Sequence, residues 1–250
     1  MFGPLLAAFR QLMLPTHCAA CDGPAPADRR FPFCDPCGRA LAALVAAPYC
    51  PRCGRHAGPH TADEQGCMFC RLYPIQHDAT VRIGQYADPL RGLILRYKYQ
   101  GRAQIAAVLG RLLGERLAMA PWADTVDLIV PVPLHWTRQA MRGYNQAELL
   151  AGAVAESGGK ARVRRRLLRV RPTPHQSGLP AGERRRNVRG AFQVGRRASD
   201  LQGKAVLLVD DVMTSGTTVA ECTEVLKSGG AAAVYVAVVA TADYDEPGPW

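Results

Sequence analysis

The chain has 250 residues, enough for one ordinary α/β domain with a small appendage, so its core need not depend on cross-links. Its hydrophobic content of 48% and charged content of 21% are those of a soluble globular protein, and no apolar run approaches the roughly 18 residues of a membrane span. The net charge of +10 favours anionic partners such as phosphates, nucleotides or nucleic acid, although a basic surface can also serve solubility alone.

The N-terminal stretch MFGPLLAAFRQLMLP (residues 1–15) predicts a short amphipathic helix. It has no basic leader, and Arg10 interrupts its apolar residues, so it does not resemble a secretion signal. Disulfides belong mainly to secreted proteins. The sequence therefore predicts a cytoplasmic protein with reduced thiols.

Eight of the nine cysteines lie before residue 71, in a region rich in Cys, Pro and small residues. They form four CxxC pairs, namely Cys18 with Cys21, Cys34 with Cys37, Cys50 with Cys53, and Cys67 with Cys70. Each pair offers two thiolates to one tetrahedral metal, so four pairs predict two Cys₄ sites. Zinc is favoured because so short a region needs a metal to fold, with iron–sulfur and thiol redox chemistry as alternatives. Sequential pairing would give two ribbons and alternate pairing a cross-braced module, and the spacing leaves that choice open.

From about residue 78, strand and helix patterns alternate. The predicted elements are a strand at 79–86, helices at 89–99 and 105–119, a strand at 126–134, a helix at 145–157, a strand at 204–211, a helix at 217–230 and a strand at 233–241. This alternation predicts an α/β domain with a mostly parallel sheet and helices on both faces. We expect the α/β domain to span residues 78–243 and the small zinc-binding module to span residues 1–74.

The stretch VLLVDDVMTSGTTV (206–219) places an acid pair and a hydroxyl-rich loop between a predicted strand and a predicted helix. Ligands of open parallel sheets bind beyond the carboxyl ends of the strands, where Asp210 and Asp211 are expected to emerge. The helix start behind Gly216 offers free N–H groups to a phosphate, and the acids suit ribose hydroxyls or Mg²⁺ held between sugar and diphosphate. The combination predicts a site for a phosphorylated ribose, although any single Thr or Asp here could be a helix cap.

This stretch resembles the phosphoribosyl diphosphate (PRPP) motif of type I phosphoribosyltransferases. The resemblance implies a type I phosphoribosyltransferase-like fold in which Asp210 and Asp211 serve the ribose hydroxyls and catalysis. It also implies a loop for the 5′-phosphate made of Met213, Thr214, Ser215, Gly216, Thr217 and Thr218.

Two further segments resemble the same family. IVPVPLHWTRQAMRGYNQ (129–146) has a strand followed by the position of that family's diphosphate loop, which implies contacts from Val132, Pro133, Leu134, His135, Arg138 and Arg142. By itself, RGYNQ could equally be a capping turn with Asn145 as the cap. LRYKYQGR (95–102) resembles the loop region above the active site and implies a diphosphate contact from Lys98, with Arg102 beside it. A solvated helix end is the alternative for that segment.

A cysteine-rich metal module followed by a PRPP motif resembles the ComF family, which is associated with competence and DNA uptake. The segments RGYNQ (142–146) and TPHQSGLPAGERRRNVRGAF (173–192) carry the same resemblance. It spans nearly the whole chain. It implies single-stranded DNA and a competence helicase-type protein as possible partners.

Arginines crowd residues 160–197, called here the basic arm, with few acids between them. Such density is typical of contact with several phosphates. The arm could be a track for single-stranded nucleic acid, although it lacks the aromatic residues on which bases usually stack. It could also guide PRPP toward the phosphate loop, or be a solvated face.

The sequence thus predicts an enzyme that transfers the phosphoribosyl group from PRPP, with Mg²⁺, to an unidentified nitrogen acceptor. Catalysis would depend on positioning and on electrostatic stabilisation of the departing diphosphate. The alternative is a protein that handles single-stranded DNA in DNA uptake and retains the PRPP site as a sensor or a relic.

Overall fold

The computed structural model of the protein describes residues 17–26, 30–58, 60–63, 65–73, 75–173, 181–195 and 198–242. The helix predicted at residues 1–15 lies outside these ranges, as does the middle of the basic arm at residues 174–180. The described part comprises a cysteine-rich N-terminal region and a five-stranded sheet with its helices.

The cysteine-rich region contains two short helices and a two-stranded ribbon. Its elements are α1 (Asp35–Ala46), β1 (Ala62–Asp63), β2 (Gly66–Cys67) and α2 (Met68–Leu72). Helix α1 begins directly after Cys34 and has Pro36 in its first turn, where a missing N–H removes no helical hydrogen bond. Leu41 of α1 belongs to the same apolar core as the sheet, so this region packs on the rest of the protein as well as around its cysteines.

The larger region alternates strands and helices. Its elements are β3 (Ala79–Gln85), α3 (Leu90–Tyr99), α4 (Ile105–Ala118), β4 (Leu128–Pro131), α5 (Trp136–Arg142), α6 (Gln146–Glu156), β5 (Arg162–Val163), β6 (Leu167–Arg169), α7 (Ala181–Val188), β7 (Phe192–Val194), β8 (Ala205–Met213), α8 (Thr217–Ser228) and β9 (Ala233–Thr241). Five of the strands form one sheet in the order β3-β9-β8-β4-β5, and every neighbouring pair in it is parallel.

Helices cover both faces of this sheet because its central strands are apolar on both sides. In β8, Leu207 and Val209 belong to the core formed with α3, α4 and α6. Val206 and Leu208 belong to a second core formed with α8. Successive side chains of a strand point to opposite faces, so the apolar run of β8 feeds both cores. The predicted fold class, an α/β protein with a parallel sheet between two helical layers, is confirmed.

A small antiparallel hairpin, formed by β6 and β7, lies outside the main sheet. Phe192 and Val188 join the hairpin and α7 to the core beneath α8. The sequence pattern does not predict this hairpin. Its strands have three residues each and lie within the arginine-rich arm, where no apolar alternation marks them.

Strand β8 continues beyond the point at which the sequence predicts its end. The predicted strand ends at the acid pair, whereas the observed strand continues to Met213. The reason is its partner: β9 is equally long and pairs with β8 as far as Met213 and Thr241. The acid pair therefore lies within a strand, where β9 pairs with it on one side, whereas the pairing with β4 ends at Val209.

Candidate functional site

A cleft of about 300 Å³ opens at the carboxyl ends of β4 and β8, where an open parallel sheet binds its ligands. The end of α3, the segment after β4, the hairpin and the start of α8 form its walls. Three distant stretches that the sequence analysis singled out meet here. They contribute Lys98, Val132, Pro133, Leu134, Arg138, Arg142, Asp210, Asp211, Thr214 and Thr218.

The start of α8 provides hydrogen-bond donors at one end of the cleft. Gly216, the N-cap residue, has a φ of 79°, a left-handed conformation that glycine adopts without steric cost. Gly216 has no side chain with which to cap the helix, and the start of a helix presents backbone N–H groups of the kind that bind an anion. The hydroxyl oxygens of Ser215 and Thr217 lie 3.1 Å apart beside them. Residues 214–218, called here the phosphate loop, thus have the donors that a phosphate needs.

Two residues of the predicted site have side chains that are buried away from the cleft. Met213 is the last residue of β8, and its side chain is 3% exposed within the core beneath α8. The predicted loop is therefore shorter by one residue. His135 is also buried, and its imidazole accepts a hydrogen bond from the Thr137 N–H at 3.4 Å, which caps α5. Only the backbone of these two residues can serve a ligand.

The acid pair and Lys98 form a largely buried charge cluster, in which Asp211 is buried and the other two are half-buried. Lys98 Nζ lies 2.7 Å from Asp211 Oδ1, so the lysine expected to bind diphosphate is paired with an acid. Burial alone would lower the pKa of Lys98, but the attraction of Asp211 and then Asp210 outweighs it and raises that pKa. Asp210 accepts a hydrogen bond from the Asp211 N–H at 2.8 Å. Burial and the neighbouring charge of Asp211 raise the pKa of Asp210 to about 7.

The segment after β4 is held in place by Asn145. The Asn145 side chain caps α6 by accepting a hydrogen bond from the Ala147 N–H at 3.1 Å, so the capping interpretation of RGYNQ is right. The same side chain donates from Nδ2 to the Val132 carbonyl at 3.1 Å. The cap of one helix therefore also fixes the backbone that faces the cleft.

The arginines predicted near the diphosphate separate into two groups. Arg138 donates to the Thr173 carbonyl at 2.6 Å, and Arg142 donates to the Gln146 side chain at 3.1 Å, both at the cleft. Arg102 instead pairs with Asp22 of the cysteine-rich region, with Nη1 2.5 Å from Oδ1. The segment at 95–102 thus contributes only Lys98 and its neighbours to the cleft, because the chain turns away after α3.

Sequence reasoning missed Arg169, in β6, which lines the cleft from the hairpin side. Its guanidinium donates to the Thr173 hydroxyl and lies 5.2 Å from the centre of the Phe192 ring. It forms no ion pair with any acid that the structure describes, and burial together with Arg138 lowers its pKa. In the sequence it is one arginine among many in the basic arm, so no signal distinguishes it.

The eight N-terminal cysteines form two groups, one from the first and second pairs and one from the third and fourth. Within each group all four sulfurs lie within 4.8 Å of one another. Cys21 and Cys34 sulfurs are 3.7 Å apart, and those of Cys53 and Cys67 are also 3.7 Å apart. Four thiolates about 2.3 Å from a tetrahedral zinc lie about 3.8 Å from each other, whereas disulfide sulfurs lie about 2.05 Å apart. The residues therefore fit zinc, and the pairing that the sequence left open is sequential.

The basic arm is partly neutralised where the structure describes it. Arg165 pairs with Glu148, and Arg166, which is 8% exposed, pairs with Asp200. Exposed arginines without such an acid in the described residues include Arg186 in α7. Among its described residues, the arm therefore presents exposed arginines beside others that are paired with acids.

Two family models match the chain. A double zinc ribbon domain matches residues 9–71, and a phosphoribosyl transferase domain matches residues 154–248. The first range contains both cysteine groups, so the chain carries two zinc-binding cysteine clusters. The second contains β8, the acid pair and the phosphate loop.

Several relatives match over most of their length. The DNA utilization protein YhgH of Salmonella typhi is 36% identical over 228 residues, which cover 90% of this chain and 96% of the relative. Competence protein F of Haemophilus influenzae is 34% identical, over 77% of this chain and 84% of the relative. Competence protein ComFC of Bacillus subtilis is 25% identical, over 74% of each chain.

Among solved structures, the glutamine PRPP amidotransferase of B. subtilis matches with a TM-score of 0.39 and 22% identity, over 57% of this chain and 30% of that one. A hypoxanthine phosphoribosyltransferase from Staphylococcus aureus matches with a TM-score of 0.32 and 16% identity, over 58% of this chain and 76% of that one. In the part of the chain that the structure describes, no helix is both long enough and apolar enough to cross a membrane.

We expect the purified protein to contain about two zinc ions per chain, because two closed Cys₄ groups each bind one. Metal analysis of Cys53→Ser should find about one zinc. Cys222→Ser is the matched control, since Cys222 is buried in α8 apart from both groups, and should keep two. One zinc in the parent protein, or the same loss in both variants, contradicts the double site.

We also expect Asp210→Asn to stabilise the protein without ligand at pH 8. The folded-state pKa of Asp210 is about 7, above its ordinary value, so the stability of the parent falls as pH rises toward 7. The variant should melt at least about 3 °C higher at pH 8, with the difference shrinking as pH falls toward 4. Glu156→Gln, which removes an exposed carboxylate, should show no such trend. A variant that melts lower than the parent at pH 8 contradicts this account of the acid pair.

Proposed function

Because this chain belongs to the ComF family and joins a double zinc ribbon to a phosphoribosyltransferase domain, we propose that its cleft binds PRPP with Mg²⁺ and transfers the phosphoribosyl group to a nitrogen acceptor. The proposal assigns the cleft to a domain of residues 78–243 and structural zinc to residues 1–74. One observation carries it: an acid pair, a helix start with glycine at its N-cap and two arginines meet at a single cleft.

In this proposal, a different part of the cleft binds each part of PRPP. The phosphate loop takes the 5′-phosphate through the N–H groups of α8 and the hydroxyls beside them. Asp210 and Asp211 accept hydrogen bonds from the ribose hydroxyls. The backbone of residues 132–135 with Arg138 and Arg142 holds the diphosphate, and the arginines can contact two oxygens each. The side of the cleft formed by the hairpin, with Arg169, binds the acceptor.

The acid pair fits Mg²⁺ because it provides carboxylate oxygens, which are the ligands that this ion prefers. Two acids face one lysine, so the cluster has room for a further positive charge. Lys98 neutralises Asp211, whereas Asp210 is a half-buried carboxyl group with a pKa of about 7. A cation arriving with the ligand would keep Asp210 ionised. When bound, Mg²⁺ neutralises the diphosphate and makes it a better leaving group.

The chemical step needs no covalent intermediate on the protein. The bond between carbon 1 of the ribose and the diphosphate oxygen breaks, the bonding electrons leave with the diphosphate, and the acceptor nitrogen forms the new bond. Lys98, Arg138 and Arg142 place positive charge around the departing group, and the carboxylates of the acid pair stabilise the cationic sugar. Catalysis depends on these fixed charges and on positioning.

We expect Asp211→Asn to weaken Mg²⁺-dependent PRPP binding at least tenfold in calorimetry, because it removes the charge shared by the sugar and the metal. Asp124→Asn, an exposed change of the same kind outside the cleft, should bind like the parent. Release of diphosphate from PRPP with a panel of nitrogen bases should also stop in Asp211→Asn. Unchanged PRPP affinity in that variant would show that the acid pair does not bind PRPP.

The family names support a second candidate function, binding of single-stranded DNA. Relatives are named for DNA utilization and for competence, and the basic arm retains exposed arginines on and beside α7. In this function the cleft would sense PRPP while the arm, and a helicase-type partner, handle the strand. Neutralising phosphates releases counterions, so such binding would be weak, unselective and strongly salt-dependent.

Arg186 and Arg189 give the test of this function, because both are exposed and neither forms an ion pair in the described residues. Replacing both with Gln should weaken binding to a fluorescent oligonucleotide and lower the salt slope by about 0.7 for each lost contact. The control, Arg39→Gln with Arg91→Gln, removes the same charge elsewhere on the surface. Equal affinity and slope in both double variants would exclude the arm as a DNA contact.

A further inference from the structure

Residues 50–54, called here the knuckle, form the first CxxC turn of the second cysteine cluster and are bonded to the edge of the sheet. Thr80 of β3 donates from its N–H to the Pro51 carbonyl at 2.7 Å and from its hydroxyl to the Arg52 carbonyl at 2.8 Å. Nε2 of His77, which is buried, lies 3.0 Å from the same Arg52 oxygen. These hydrogen bonds tie the knuckle to the edge strand of the sheet.

The knuckle also reaches the strand beside the acid pair. Thr241, the last residue of β9, donates its hydroxyl to the Gly54 carbonyl at 2.9 Å and accepts a hydrogen bond from the buried guanidinium of Arg82. Thr241 is paired in register with Met213, and the next residue, Ala242, donates its N–H to the Met213 carbonyl at 3.0 Å. The end of β9 therefore links the knuckle to the last residue of β8.

The side chains of Thr80, Thr241 and Met213 surround Gly54. Its φ of +73° is a conformation that favours glycine, and a Cβ at this position would lie 2.9 Å from Thr80 Cγ2, 3.1 Å from Thr241 Cγ2 and 3.2 Å from Met213 Cε. Such distances are shorter than ordinary van der Waals contact, so the two threonines would have to give way first. Because Thr241 is paired with Met213 and Thr214 follows at once, a shift of Thr241 changes where the phosphate loop begins.

We propose that the second cysteine cluster positions the phosphate loop: its knuckle fixes Met213 through Thr241, which bonds to Gly54 and pairs with Met213. Zinc held by Cys50 and Cys53 would close the knuckle, and the shape of the closed turn sets where the Gly54 carbonyl meets the Thr241 hydroxyl. Gly54 and Thr241 are positioning residues, since neither is among the described residues that line the cleft. The identity of the ligand rests on the proposed function, whereas the coupling between knuckle and loop does not.

The chain provides a matched pair of variants. Gly54→Ala and Gly203→Ala both place a side chain at a positive φ, +73° and +68°, but nothing lies within 4 Å of the added Cβ at Gly203. Both variants should keep two zinc ions. Only Gly54→Ala should raise hydrogen exchange of the amides of residues 213–218, by at least fivefold, and weaken ribose 5-phosphate binding at least tenfold. Affinity for diphosphate should stay within threefold of the parent, because residues 132–135 follow a different strand.

Thr241→Val covers the case in which Gly54→Ala does not fold, since it removes one hydroxyl and adds no bulk. Thr241→Val should reproduce the faster hydrogen exchange. Thr241→Ser keeps the hydroxyl and should exchange like the parent. Parent-like exchange and ribose 5-phosphate affinity in both Gly54→Ala and Thr241→Val overturn the proposal. If the parent binds neither PRPP nor ribose 5-phosphate, the proposed function fails, and the exchange rates alone still decide the coupling.

Discussion

The parallel pairing of β8 with β9 is the constraint on which the rest of the site depends. Parallel strands end at the same edge, so the acids of β8 and the segment after β4 come together although they are distant in sequence. The pairing continues to Met213 and Thr241, so the strand carries Asp210 and Asp211 in fixed positions. It also brings the end of β9 to the knuckle. One ladder thus orders the acid pair, the start of the phosphate loop and the contact with the cysteine-rich region.

The charges of the cleft are arranged before any ligand arrives. Lys98 is paired with the charge of Asp211, whereas Arg138 donates to a backbone carbonyl and Arg169 to a hydroxyl, so the two arginines are held by neutral acceptors. Burial gives such charges a stronger interaction than they would have in water. Asp210 is destabilised as a carboxylate, because burial and the neighbouring charge of Asp211 raise its pKa to about 7. A site of this kind gains stability when a ligand with both negative groups and a metal enters it.

The sequence predicts the parts of this site that depend on local pattern. The apolar run before Asp210, the glycine at 216 and the apolar helices each carry their own signal, and all lie where they were expected. The segment after β4 was also placed correctly, because a strand ending in prolines is a local feature.

What the sequence could not predict depends on contacts between distant residues. Met213 was assigned to the loop because only the length of β9 keeps it in the sheet. Arg102 was expected beside the cleft because nothing in its neighbourhood reveals Asp22, eighty residues earlier. The pairing of the cysteines follows the path of the chain between them, which spacing does not define. Arg169 reaches the cleft because the hairpin carries it there, and the strands of that hairpin are too short to leave a pattern in the sequence.

The central claim is that an acid pair and a helix start, fixed by one strand pairing, bind a phosphorylated ribose with its diphosphate. A crystal structure of the protein with Mg²⁺ and PRPP tests it most directly. The account predicts the 5′-phosphate at the N–H groups behind Gly216, the metal beside the acid pair, and Lys98 Nζ moved from its 2.7 Å contact with Asp211 toward the diphosphate. PRPP bound elsewhere, or bound here with its diphosphate at the start of α8, would contradict it.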